Sequence, residues 1–257
     1  ENVDLSIAIT KAVGLLGLYG AKGSKTNKQF LKNYFNKEEN AKKVEEAIEK
    51  LESLKIIRYA KYLDSYVILD GTNVDFTEEL KKAENQIDLA NDLVPLLKSH
   101  FDFPVIQAKT ASYNTGTPRL FQFEISHSPI SAVPKGAIDG FVNLLFDEET
   151  KLKDVLEFSG QQEEAIVYAL FENTSDIRDQ VFEIQKTIKA RDENIEDKVA
   201  KEEFENILSA REHLLTHTVL SSLYSEKTQW IFDGEAKTLT NKRELNVLLS
   251  TVCSKCY

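Results

Sequence analysis

The 257-residue sequence contains no methionine, not even at position 1. The chain is therefore expected to be a piece of a longer one, or else a sequence from which modified methionines such as selenomethionine have been left out. Cysteine is nearly as scarce. The two present, Cys253 and Cys256, cannot make a disulfide framework and agree with a reducing compartment. No apolar run approaches the roughly 18 residues needed to span a bilayer, and no basic, then apolar, then small-residue leader opens the chain. A cytoplasmic, bacterial-type setting with no membrane partner is the expectation. Excess positive charge is also missing: 32 Lys and Arg stand against 42 Asp and Glu, for a formal net charge of −10. That excludes wholesale coating of nucleic acid and leaves only a local basic face to engage phosphate.

What is present suffices for a real core, since 42% of residues are apolar, enough for one large or two modest domains. The most informative stretch is Lys42 to Asp75. Val44, Ala47, Ile48, Leu51 and Leu54 recur at three- and four-residue steps, the signature of one helix face. From Ile56 to Leu63 and from Tyr66 to Leu69 the residues turn β-branched or aromatic, with Asp64-Ser65 between them as a hairpin turn. Before this stretch, Leu5, Ala8, Ile9, Ala12, Val13, Leu16 and Tyr19 predict a first helix ended by Gly20 to Gly23. Thr26 is placed to cap a second helix carrying Phe30, Leu31, Tyr34 and Phe35. Three short helices and a hairpin predict a winged helix over residues 1–76, with a core that includes Leu16, Phe30, Val44, Ile48, Leu51, Ile57 and Val67.

A connector helix is predicted over residues 77–103, beginning at Thr77 with Leu80, Ala83, Ile87, Ala90 and Val94 buried, and kinked or ended by Pro95. Residues 104–257 read as an α/β domain with long helices. Its predicted strands are Val105 to Thr110, Arg119 to Ile125, Ala137 to Phe146, Ala165 to Phe171 and Gln229 to Phe232. A helix carries Ile177 to Ile188, a second of some eight turns runs through the charge-dense region after Arg191, and an amphipathic helix starts at Arg243. The expected fold class is mixed α/β.

No catalytic constellation stands out. Gly17 to Thr26, G-L-Y-G-A-K-G-S-K-T, is glycine-rich, but Ser24 precedes Lys25 where a phosphate loop needs glycine, and a helix rather than a strand precedes it. His213 and His217 stand four apart on a helix, with Glu203 or Glu212 as further donors, yet Leu214 stands where a metallopeptidase has glutamate. Cys253 and Cys256 have zinc-knuckle spacing without a second pair in view. No catalytic, cofactor or metal residues are assigned. Charge is more telling: Lys11 to Lys43 holds eight lysines against two acids, and Lys22, Lys25, Lys28 and Lys32 are the candidates for a phosphate-facing patch. The third helix opposes base reading, because Glu38 to Leu54 has six Glu and three Lys, and an acidic helix is repelled by the major-groove backbones.

Four blocks resemble a known family. Ile56 to Phe76, I-I-R-Y-A-K-Y-L-D-S-Y-V-I-L-D-G-T-N-V-D-F, is similar to the "R-Y … Y-x-L-W-E-G-S-D-V-D" segment of large bacterial P-loop ATPases, including those related to the BREX phage-defence ATPases. Asn114 to Glu124, N-T-G-T-P-R-L-F-Q-F-E, resembles their "E-T-G-T-L-R-Y-F-E-V" block. Asp197 to Arg211 looks like their "D-x-V-A-R-R-E-L" helix, and Arg243 to Ser250, R-E-L-N-V-L-L-S, like their "L-N-R-L-L-S" element. Pro118 stands where the pattern is aliphatic and Lys201-Glu202 where it has a basic pair, which puts a basic contact at that helix in doubt. The resemblance implies a region C-terminal to an ATPase core, with ATP and Mg bound elsewhere in the parent chain. Its partners would be the rest of that chain and other subunits, with weak, sequence-independent contact to double-stranded DNA. The alternative is a winged-helix transcriptional regulator with an α/β sensor domain.

Overall fold

The computed structural model describes residues 2–20, 25–35, 41–60, 63–69, 72, 74–87 and 92–257. The chain is mixed α/β and divides into two compact units, one of residues 1–84 and 187–210, the other of residues 85–186 and 211–257. No helix among the described residues is long and apolar enough to cross a membrane.

In the first unit the helical period becomes α1 (Asn2–Tyr19), α2 (Lys28–Phe35) and α3 (Ala41–Ser53), followed by the antiparallel hairpin β1 (Ile57–Ala60) and β2 (Ser65–Ile68). Leu5, Ile9 and Val13 of α1 meet Leu31 and Phe35 of α2, Val44, Ala47, Ile48 and Leu51 of α3, and Ile57 and Tyr66 of the hairpin in one core. Phe30 departs from the expected core: it is 36% exposed, and Leu31 takes the inward position. Leu16 and Val67 are only half-buried. The cap of α2 is Asn27, whose Oδ1 accepts from Phe30 N at 2.9 Å. Thr26 instead joins the hairpin, its N–H donating to Ser65 Oγ at 2.9 Å and its carbonyl accepting from Tyr66 N at 2.9 Å. Ser65 therefore lies in β2 rather than in the turn. Gly20 to Gly23, apart from Gly20 itself, and Gly71 lie outside the described residues.

The end of α3 is a left-handed cap. Lys55 has φ +54°, Ile56 N donates to Leu51 O at 3.0 Å and Lys55 N to Glu52 O at 2.9 Å, the paired closure that reverses a chain out of a helix. This places Leu54 at 58% exposure rather than in the core, because it follows the last helical turn.

A second cluster in this unit joins Phe76 and Ala83 of α4 (Phe76–Glu84) to Ala190, near the end of α8 (Thr174–Glu193), and to Ala200, Phe204 and Ile207 of α9 (Lys198–Ser222). Asp75 caps α4 by accepting from Thr77 and Glu78 N. The expected continuous helix through Val94 is two: α4 ends at Glu84, and α5 (Leu93–His100) starts afresh behind Asp92, whose side chain accepts from Val94 N at 3.0 Å. Pro95 thus sits in the first turn, where a missing N–H costs nothing. Ala90 lies outside the described residues.

The second unit is built on a six-stranded sheet of order β3-β4-β5-β6-β7-β8. β4 (Leu120–Ser126), β5 (Gly140–Leu145) and β6 (Ile166–Phe171) are parallel; β3 (Ile106–Gln107), β7 (Thr228–Phe232) and β8 (Glu235–Lys237) are antiparallel to their neighbours. Every residue of β6 is buried, as its unbroken apolar run requires of a central parallel strand. Asp233 and Gly234, both at positive φ, make the tight β7–β8 turn. The expected strand through Thr110 stops at Gln107, since Lys109–Thr115 forms helix α6. Its first N–H is capped from α10 (Lys242–Cys256), Asn246 Oδ1 accepting from Lys109 N at 3.0 Å. α7 (Leu152–Ser159) and β8 were not expected from the sequence.

Two substitutions test this packing. Leu51 is 3% exposed at the centre of the first core, so Leu51→Ala is expected to cost about 2–5 kcal/mol in urea unfolding; a loss under about half a kcal/mol would mean the face is unpacked. A Cβ at Gly140 would stand 2.2 Å from the Ala165 carbonyl oxygen and 2.4 Å from the buried Phe121 ring. Gly140→Ala is therefore expected to destabilise by at least about 1–3 kcal/mol.

Candidate functional site

The lysines nominated for phosphate contact are placed among carboxylates. Lys28 and Lys32, one turn apart on α2, both reach Glu45 of α3, Lys32 at 2.8 Å; Lys28 also lies 3.6 Å from Glu49. Hydrogen bonds from Lys28 and then Lys32 hold the Glu45 carboxyl down at about 2, and the bond to Glu45 raises the Lys28 ammonium. Lys25 pairs with Asp64 at 3.0 Å. The Asp64 carboxyl, which also accepts from the Tyr59 hydroxyl, is held below its ordinary range first by that bond and then by Lys25. Lys22 lies outside the described residues, as do Lys37, Glu38 and Glu39. Phosphate approaching this face therefore competes with carboxylates already in place.

His213 and His217 are exposed on α9, and no group of three His, Cys, Asp or Glu side chains able to hold a metal occurs among the described residues. Cys253 is buried, its thiol pushed up to about 11 by that burial, and Cys256 is half-buried and raised for the same reason. Neither is poised as a thiolate at neutral pH.

At the carboxyl ends of the parallel strands, where open α/β sheets place ligands, the second unit has a cleft of about 310 Å³ lined by Pro129, Asp147, Thr150, Asp154 and Phe158. Buried Asn143 ties its walls together: its amide donates to Ser126 Oγ at 2.7 Å and its oxygen accepts from Ile130 N at 3.0 Å. Asp147 is engaged by the Thr150 hydroxyl at 2.6 Å. Acidic side chains gather here without a nucleophile and base in contact, so no reaction centre is assembled.

The first unit holds a larger and different opening. Between α1 and the end of α3 lies an apolar cleft of about 520 Å³, lined by Ser6, Ile7, Thr10, Lys11, Lys50, Leu51, Leu54 and Ile56. Ile7, Leu54 and Ile56 are 47%, 58% and 36% exposed. The left-handed turn at Lys55 delivers Leu54 and Ile56 to one wall, and α1 supplies the other. A signal for it was present in the sequence: Ile7 and Leu18, three helical turns apart, lie opposite the buried Leu5-Ile9-Val13 face, so α1 is apolar on two sides.

Comparison with family models, curated proteins and solved structures returns no match. The functional reading therefore rests on the geometry and on the four blocks.

The lysine–glutamate cluster predicts a pH dependence. A carboxyl whose folded value is about 2 against an ordinary 4.5 stabilises the fold above the ordinary value, and that contribution is lost as pH falls through the folded one. The stability difference between wild type and Glu45→Gln should be present near neutral pH and shrink as pH falls from about 5 to about 2. A difference independent of pH would contradict the pairing.

Proposed function

We propose that the chain is a non-catalytic regulatory and interaction region of a large bacterial P-loop ATPase of the kind related to phage-defence ATPases, with its first 76 residues acting as a winged helix. The observation that carries this reading is that the first and third resembling blocks meet. Arg58 of the first block pairs with Glu203 of the third, and its guanidinium lies 4.7 Å from the centre of the Phe76 ring, itself edge-on to Phe204. Thr72 of the first donates to Asp197 of the third at 2.7 Å, while Asp197 caps α9 through Val199 and Ala200 N. Arg58, Asp197 and Glu203 match the quoted patterns, and Thr72 stands where the pattern has serine.

The matching residues of the second and fourth blocks also make tertiary ties in the other unit, though to residues outside the blocks. Gly116, at φ +67°, ends α6, and Arg119 pairs with Asp139 at 2.8 Å. Asn246 and Ser250 hold α10 to the backbone of Gln107, Lys109 and Ala111. The matching polar residues are thus spent on tertiary ties. A likeness carried by such residues supports a shared scaffold rather than shared chemistry. ATP and Mg belong to the parent chain in this reading, which places it in the cytoplasm with the rest of the ATPase and other subunits as partners.

Any contact with double-stranded DNA is weak and indifferent to sequence, because Lys25, Lys28 and Lys32 must first leave their carboxylates. Glu45→Gln is expected to raise such binding and steepen its salt dependence, and replacing the three lysines, with Lys22, by Glu should abolish it. A footprint on one defined sequence at physiological salt would favour a transcriptional regulator instead.

Two measurements test the main proposal. Calorimetric titration with Mg-ATP should give no heat of binding, and micromolar affinity lost in Lys25→Ala would overturn the non-catalytic assignment. The native reading frame should carry a phosphate loop upstream of these residues; a frame without one would overturn the assignment to an ATPase.

A further inference from the structure

The apolar cleft of the first unit has an asymmetric charge environment. Lys25, Lys28, Lys32 and Lys82 all close on carboxylates of their own unit. Lys11 and Lys50, at the rim of the cleft, form no ion pair among the described residues. In a chain of net charge −10, these two lysines flank an open apolar surface and are placed to meet negative charge on a partner.

The geometry of the walls narrows the occupant. One wall is a helix, α1, which lines the cleft with Ser6, Ile7, Thr10 and Lys11; Leu18, on the same outward face further along the helix, is 78% exposed. The other is the exit of α3, with Leu54 and Ile56 outward and Lys50 one turn before them. An open cleft with an apolar lining and lysines at its rim matches the apolar anchors and charged flanks of an amphipathic helix.

We propose that this cleft is a docking groove for an acidic amphipathic helix of a partner, its apolar face on Ile7, Leu51, Leu54 and Ile56 and its carboxylates on Lys11 and Lys50. The proposal rests on the interaction-region reading above and adds the chemistry of the partner. Acidic side chains on the ligand give orientation and encounter rate, and burial of its apolar anchors gives the affinity.

The test uses the whole chain and a fluorescent helix-forming probe peptide of about 15 residues with leucines at i, i+4 and i+7 flanked by glutamates. Saturable anisotropy is expected, weakened at least about tenfold when the glutamates are changed to lysine. Leu54→Glu should abolish binding. The decisive variant is Lys11→Glu with Lys50→Glu, both exposed positions, which should lose the acidic probe and gain the basic one while its thermal unfolding stays unchanged. Equal binding of both probes to wild type, or retention of the acidic probe by the charge-reversed variant, would overturn the proposal. So would absence of peptide binding, whether with decanoate binding, which would make the cleft a lipid site, or with a dimer in sedimentation that Leu54→Glu dissolves, which would make it a self-association face. A native frame without a phosphate loop would remove the ATPase reading and leave this result standing, whereas loss of peptide binding leaves the frame's evidence untouched.

Discussion

The first unit depends on how a guanidinium is housed. Arg58 leaves the hairpin from a half-buried strand position, and its charge has to be met where it lands. Glu203 supplies the counter-charge and the Phe76 ring the stacking face. The counter-charge does not come from the neighbouring sequence: Glu203 lies 145 residues away. With side chains only 21% and 19% exposed, the pair is sheltered from solvent, the setting in which losing one member of an ion pair costs most. The Thr72–Asp197 bond and the Phe76–Phe204 contact repeat the tie on either side of it, so one face of α9 is bound to the hairpin and its following loop at three places.

These ties also explain which parts of the fold were legible beforehand. Elements whose information is local were readable: the Val44-Ala47-Ile48-Leu51 stripe of α3, the apolar run of β6, the long stripe of α9. Elements set by distant partners were not. α6 looks like turn sequence because its N-terminal cap is Asn246, supplied from the last helix. Leu54 reads as part of the α3 face because periodicity cannot see that Lys55 takes a left-handed conformation and ends the helix first. Pro95 reads as a stop because its cap, Asp92, makes it a start. Phe30 against Leu31 is a rotation of one residue in a helix of eight, too short for its pattern to define a face.

The candidate sites divide along the same line. Composition could say that lysines cluster between Lys11 and Lys43, but not that Glu45 faces two of them, since that depends on how α2 meets α3. The same alignment of helices sets Lys28 and Lys32 of the nominated patch against a carboxylate. The cleft beside Ile7 shows the opposite case, in which the residues were plain and their meaning was not: a second apolar face on α1 counts as surplus hydrophobicity until the exit of α3 is seen opposite it. Acid on the outside of α3, lysines bound to it and an apolar cleft at its end are the features on which the proposed interaction role rests.

The central claim is that the residues carrying the resemblance are structural ties, with Arg58 and Glu203 the strongest. A double-mutant cycle with Arg58→Met and Glu203→Gln, followed by urea unfolding of the whole chain, isolates their coupling from the separate costs of each change. The account predicts a favourable coupling of about 1–3 kcal/mol, with the double variant less destabilised than the sum of the single ones. Additive effects, with a coupling below about 0.3 kcal/mol, would contradict it and mean that the first and third blocks are held together by something other than the residues they share with the pattern.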